Sequence, residues 1–164
     1  MSSKYHALVG LLAIVLILIS TPAQAQPRPV QLALVTPVQI FQEEDAISGI
    51  RLNLLYGRNA SVMGLDLGLV NHVTTGISTG AQYGAVGLVD SDFVGLQNNL
   101  VNATNGKFDG FQLGIVNYAK IANGFQLGFV NYAESMRGLQ IGVVNIIQRG
   151  GAFPVFPIVN WSFE

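Results

Sequence analysis

Between residues 110 and 145 the chain reads GFQLGIVNYAKIAN, then GFQLGFVNYAESMR, then GLQIGVVN, three near-copies of a unit of fourteen residues. Near-copies at a fixed period find their packing partners in one another, which restricts the chain to repeat architectures. Gly49, Gly64, Gly80, Gly95, Gly110, Gly124 and Gly138 open seven such units, at intervals of 14 to 16 residues. Counted from each glycine, with Φ an apolar residue, the consensus is G-Φ-Q-Φ-G-Φ-V-N. The eighth position holds Asn71, Asn102, Asn117, Asn131 and Asn145, with Tyr56 and Gly87 as exceptions. Two degenerate copies flank the seven, VQLALVT with Pro29 in the glycine position and FPVFPIVN ending at Asn160. Proline cannot donate to a β-ladder, so both ends read as caps.

Within a unit, positions two, four and six share one face of a strand because successive side chains alternate. They are mostly Leu, Ile and Phe, so that face is expected to be buried. On this reading Leu127→Asp is severe. Position three carries Gln82, Gln97, Gln112, Gln126 and Gln140, after Arg51 and Asp66 in the first two units. This glutamine column is expected to be the exposed face. The valine at seven breaks the alternation and the asparagine after it tolerates turn geometry, so a corner is expected there. A second apolar column lies two residues before the next glycine, at Val62, Phe93, Phe108 and Met136, with Ile77 and Ile121 one place earlier.

Two all-β architectures accommodate the repeat. In a β-solenoid each unit is one coil of about 14–16 residues, stacked in parallel on the next at about 4.8 Å, so that the asparagines line up as a side-chain ladder. In a small outer-membrane antiparallel β-barrel each unit is one strand and a turn, and the apolar face meets lipid. Such barrels alternate short turns with long loops. Here the spacers from the eighth position to the next glycine run 7, 8, 7, 7, 6 and 6 residues, without that rhythm. The paired aromatics Phe111 and Tyr118, like Phe125 and Tyr132, are seven residues apart. An odd separation puts them on opposite faces, unlike a membrane girdle. The solenoid is favoured.

At the N-terminus, Lys4 precedes an apolar run of thirteen residues, Ala7 to Ile19, and then Ala23-Gln24-Ala25. A positive start, a short apolar run and an A-x-A site describe a secretory signal peptide; a membrane span needs about 20 apolar residues. The organisation expected is a signal peptide at 1–25, an N-terminal cap at 26–48, seven repeats over 49–151 and a C-terminal cap at 152–164. Cleavage near Ala25 leaves an extracytoplasmic protein. Only 10% of residues are charged and the net charge is −1, which offers no basic footprint for nucleic acid. The chain has no cysteine, which removes disulfides, thiolate metal sites and a cysteine nucleophile together.

Reactive constellations are missing from the sequence, and no catalytic residue, cofactor or metal ligand is expected. His72 follows Asn71 at an expected corner and reads as exposed or capping. Asp90-Ser91-Asp92 lacks the further oxygen ligands of a calcium loop and reads as a spacer turn. Glu43-Glu44-Asp45 reads as a solvated loop. Asp66 is alone in the glutamine column, so no carboxylate pair for acid–base work is formed. Asn59, Asn102 and Asn160 begin glycosylation-type sequons, a match too short to carry weight by itself.

GLDLGLVN, GFQLGFVNYA and GLQIGVVN, with the lead-in IRLNLLYGRNASVMGLDLGLVN and the close FPVFPIVNW, resemble the bacterial exported "surface repeat" proteins. The resemblance covers most of the chain after the signal segment and implies an envelope or surface location, without any catalytic or binding residue to carry over. The copies GAQYGAVG and GLQNNLVN depart from the pattern at Ala81, Ala85, Asn98 and Asn99, which suggests a local constriction or a polar inclusion. The function expected is a non-enzymatic, structural or interaction role. The partner would be an envelope component, protein or polysaccharide, met by Gln82, Gln97, Gln112, Gln126 and Gln140, with outer-membrane association as a further expectation. An integral outer-membrane barrel, acting as a small pore, is the alternative.

Overall fold

A computed structural model describes residues 26–163; the signal-peptide reading, on residues 1–25, lies outside the described residues. Nine strands follow one another: β1 (Arg28–Val35), β2 (Val38–Gln39), β3 (Ala46–Asn59), β4 (Ser61–Val73), β5 (Ser78–Val89), β6 (Phe93–Leu113), β7 (Val116–Leu127), β8 (Val130–Arg149) and β9 (Val155–Ser162). From β1 and β3 through to β8, neighbours pair in parallel with a register of one repeat, so that Gly49 lies against Gly64, Gly64 against Gly80 and Gly110 against Gly124. The chain is a β-solenoid of about eight turns and not a barrel. An antiparallel membrane barrel cannot be built from this pairing.

The ends of the stack differ from its middle. β2 folds back antiparallel on β1. β1 itself stacks on β3 with Gln31 on Arg51 and Leu32 on Leu52, the register that aligns VQLALVT with the repeat. β9 does not add a coil. It runs antiparallel to β8, with Asn160 opposite Gln140 and Ser162 opposite Gly138. Both outermost strands thus turn back on the stack instead of offering a parallel edge to another chain.

Each coil is a flattened loop, and its interior is divided between two kinds of side chain. At one end, the column two residues before the glycine (Ile47, Val62, Phe93, Phe108, Ala122, Met136) meets a column on the return arm (Val73, Val89, Ala119, Ala133, Ile147) to form an apolar core. Phe93 and Phe108 stack with ring centroids 6.1 Å apart. At Ala122 the core slot is filled by a residue one place after Ile121, which is exposed, and Ser78 likewise fills it while Ile77 points out. At the other end of the coil the interior is polar.

This inverts the expected sidedness. Gln82, Gln97, Gln112, Gln126 and Gln140 have 0% exposure and lie inside, as does Gln31. Positions two, four and six face outward: Leu54 is 67% exposed, Phe129 59% and Leu127 44%. Leu127 is therefore not a core residue, and Leu127→Asp does not bury a carboxylate. The physical reason lies in the phase of the pattern. Alternation separates two faces without saying which is inside, and the apolar column of Val62, Phe93, Phe108 and Met136 falls an even number of residues from the glutamine. The core column and the glutamine share a face. The expected corner is also displaced: the turn falls at positions five and six, where Gly114-Ile115 and Gly128-Phe129 separate consecutive strands.

Candidate functional site

The polar interior is a pair of amide ladders. Gln97 Nε2 donates to Gln82 Oε1 at 3.0 Å, Gln112 to Gln97 at 2.9 Å, Gln126 to Gln112 at 2.6 Å and Gln140 to Gln126 at 2.7 Å. Every bond points the same way, each coil donating to the one before it. A one-way chain of amides needs a pure acceptor at its head. Asp66 supplies it, accepting from Gln82 Nε2 at 2.9 Å and from Arg51 Nε and Nη2 at 2.7 and 2.8 Å. Both partners of that ion pair are buried. Asp66 is alone in its column because it terminates the column. At the other end of the ladder the Oε1 of Gln140 has no partner.

The asparagine ladder is formed as the solenoid reading expects. Asn102 Nδ2 donates to Asn117 Oδ1, Asn117 to Asn131 and Asn131 to Asn145, each at 2.8 Å. The same amides also donate to a carbonyl of the next coil, Asn117 to Leu127 and Asn131 to Ile141, each at 2.9 Å. Where the consensus lapses, the amide is supplied from position five. A register shift after Asn53 places Gly57, not Tyr56, on Asn71, and Asn53 Nδ2 reaches Asn71 Oδ1 at 2.8 Å. A Cβ at Gly57 or Gly87 would fall on the amides of Asn53 or of Gln82 and Asn99. In GAQYGAVG and GLQNNLVN two of the departures compensate each other: Gly87 vacates the slot and Asn99 fills it, donating to Asn102 Oδ1 at 2.7 Å.

The five glutamines named as an interaction face are consequently structural, with no surface to offer a partner. The other singled-out groups also tie coils together. His72 joins Tyr56 Oη at 2.8 Å to Asp90 Oδ2 at 2.7 Å. In the Asp90-Ser91-Asp92 turn, Ser91 Oγ donates to the Gly76 carbonyl and Asp92 Oδ1 accepts from the Lys107 amide at 2.7 Å. Glu43 pairs with Arg58 at 3.0 Å and Asp45 with Arg28 at 3.7 Å. A hydrogen bond from Lys107 is the first cause that holds the Asp109 carboxyl below its ordinary range. Among the described residues, no group of three or more His, Asp or Glu side chains converges as a metal site.

What the molecule does present is an apolar outer face. Positions two, four and six of each coil form three columns that run the length of the stack, and none of them contains Asp, Glu, Lys, Arg or His. Ile50, Leu54, Leu69, Leu100, Phe111 and Phe129 stand out from it, each more than two-fifths exposed. The backbone beneath is bonded from coil to coil, so the face offers no free N–H or carbonyl. With about eight rows spaced ~4.8 Å and five residues of backbone at ~3.3 Å, bent at the turn of positions five and six, it covers roughly 34 Å by 15 Å, or about 500 Å² traced along the backbone. The largest apolar patch of a typical monomer spans about 300–600 Å² of full accessible surface and is often functional. An open groove of about 750 Å³ dents its N-terminal end between Leu32, Leu34, Val38, Ile40, Leu52 and Leu54. Charged side chains gather instead on the return arm and its loops, where Glu134 meets Arg149 and Tyr118 stacks on Tyr132. The signal for this face was in the sequence, in the unbroken absence of charge from three columns.

Compared with protein-family models, with curated proteins and with solved structures, the chain has no match.

Proposed function

We propose that this chain is an exported, non-enzymatic repeat protein of the bacterial cell envelope or surface, and that it works as an interaction scaffold through the outer face of its coils. The observation that carries this reading is the charge-free apolar face, held rigid by the stacked strands. A rigid face of this size is costly to leave in water, and such surfaces mark sites of association. The export half of the proposal rests on the pattern Lys4, Ala7–Ile19 and Ala23-Gln24-Ala25 and on the resemblance to exported surface-repeat proteins. A polysaccharide partner loses its basis with the glutamines turned inward, since sugar hydroxyls need polar groups to bond. An apolar protein surface or a membrane surface suits the face better.

Two measurements test the two halves. Mass spectrometry of the protein from its native host is expected to show an N-terminus at Gln26; a chain still carrying residues 1–25 contradicts export. In the second, Leu69, Leu100 and Phe129 are changed together to Asn. The triple variant is expected to fold as the wild type does, since all three side chains are more than half exposed, and to lose the partner that the wild type holds, seen as release from the envelope fraction or as a smaller species on sedimentation. If the folded variant keeps both its envelope association and its sedimentation behaviour, the face is not the site.

A further inference from the structure

The outer face is also arranged to be self-complementary, and we infer that its occupant is a second copy of this chain. The inference deepens the interaction reading above and rests on it. Along the position-four column the rows run from Leu32 at one end to Ile141 at the other. Of the eight residues in that column only the fourth and fifth, Tyr83 and Asn98, carry a polar group, and they are register partners. The two polar side chains of the face therefore sit at its centre. A twofold axis through that centre brings Tyr83 of one copy against Asn98 of the other, twice, and matches phenol donor to amide acceptor. In a twofold interface each residue pair occurs in both senses, and one polar pair inside an apolar contact sets register against slipped alternatives.

The ends of the face agree with the same axis. It lays the C-terminal end of one copy over the N-terminal end of its partner. At the C-terminal end Ile158 is 74% exposed. Its backbone is at φ +70°, a conformation that a β-branched residue adopts only under constraint. At the N-terminal end lies the groove lined by Leu32, Leu52 and Leu54. A strained, projecting side chain at one end and an apolar groove at the other form a knob and a hole when two copies meet. The area is sufficient. About 500 Å² from each copy, traced along the backbone, gives about 1,000 Å² in all, the size that a specific interface must clear. The edges of the stack are blunted, β2 by its length of two residues and β9 by Pro157, which turns association toward the face and away from end-to-end stacking.

The test is sedimentation of the purified chain without detergent, followed by cross-linking. The wild type is expected to be a dimer. Facing sheets lie about 10 Å apart, too far for a direct disulfide, so a short bis-maleimide is the probe; the chain has no native cysteine to confuse it. Asn98→Cys is expected to give a covalent dimer. Leu32→Cys and Ile141→Cys should cross-link to each other in a mixture and neither to itself. Ile158→Gly relieves the backbone strain while it removes the knob. It should therefore raise or preserve the melting temperature of the monomer and weaken the dimer at least tenfold. Efficient self-cross-linking of Leu32→Cys, or an Ile158→Gly variant that dimerises like the wild type, overturns the arrangement. A monomer that floats with phosphatidylcholine–phosphatidylglycerol vesicles overturns the dimer and leaves the interaction role standing with a lipid surface as partner. A monomer that binds neither vesicles nor envelope material removes both.

Discussion

Asp66→Ala is expected to lower the unfolding free energy by about 3–5 kcal/mol, because it leaves a buried guanidinium without its counter-charge. Arg51 lies wholly inside the coil, and two of its nitrogens bond the Asp66 carboxylate. Its remaining contacts, the His72 carbonyl at 2.9 Å and Asn59 Oδ1 at 3.3 Å, are neutral. The substitution also leaves Gln82 Nε2 without the acceptor it reaches at 2.9 Å, so the glutamine ladder loses its head as well. The ladder suggests its own rescue. Changing both residues, Arg51→Gln with Asp66→Gln, extends the column to Gln31, which stacks on position 51 and whose Nε2 already ends on a pure acceptor, the Phe41 carbonyl at 3.0 Å. Replacing both members of a buried pair is often neutral, so the double variant should fall within about 1 kcal/mol of the wild type. Urea unfolding of the three proteins decides this. If the double variant is as unstable as Asp66→Ala, the amide column is not interchangeable with the ion pair and the ladder account fails there.

Gly124→Ala is the second large effect, expected to cost at least about 3 kcal/mol from strain and forced separation of strands. Gly124 has φ +127°, and a Cβ on it would fall on the carbonyl oxygen of Gly110 in the coil before. The same relation links each repeat glycine to its predecessor, from Gly49 on Pro29 to Gly138 on Gly124. Glycine opens every unit because the backbones of successive coils approach there too closely for a side chain, in a conformation that L-residues avoid. Gly150 provides the control. It has φ +74°, but a Cβ there would meet only Ser162 Oγ, at 3.8 Å, so Gly150→Ala should cost only the ~1–2 kcal/mol of a left-handed backbone. Thermal unfolding of the two variants should separate them clearly. Equal, small shifts would mean that the coils part without penalty and that the glycine column does not set their spacing.

These two positions also show what the residues reveal by themselves and what they do not. Seven glycines at intervals of 14 to 16 residues make the coil and its parallel register legible, because a fixed period leaves little else for identical positions to do than stack. The asparagine ladder was equally legible. The sidedness was not, although its signal was present. Leucine and phenylalanine at positions two, four and six are most simply read as a core, since burying apolar surface is the usual driving force. The rule failed here because amides stacked coil on coil satisfy one another, so a glutamine column can be buried at little cost. The decisive clue was phase: Phe93 and Phe108 share the parity of Gln97 and Gln112, and a column cannot be inside while its in-phase neighbour is outside. Asp66 illustrates the same point. As an isolated carboxylate among glutamines it carried no chemistry, but it is the acceptor that a one-way amide chain requires.

The coil with its polar side in and its apolar side out is the central claim, and side-chain amide exchange tests it most directly. In NMR spectra of the folded protein the NH2 protons of Gln112, Gln126 and Gln140 are predicted to be resolved from one another and to exchange with water far more slowly than those of a free glutamine. Exchange at the rate of an unprotected side-chain amide would place these residues on the surface and contradict the account.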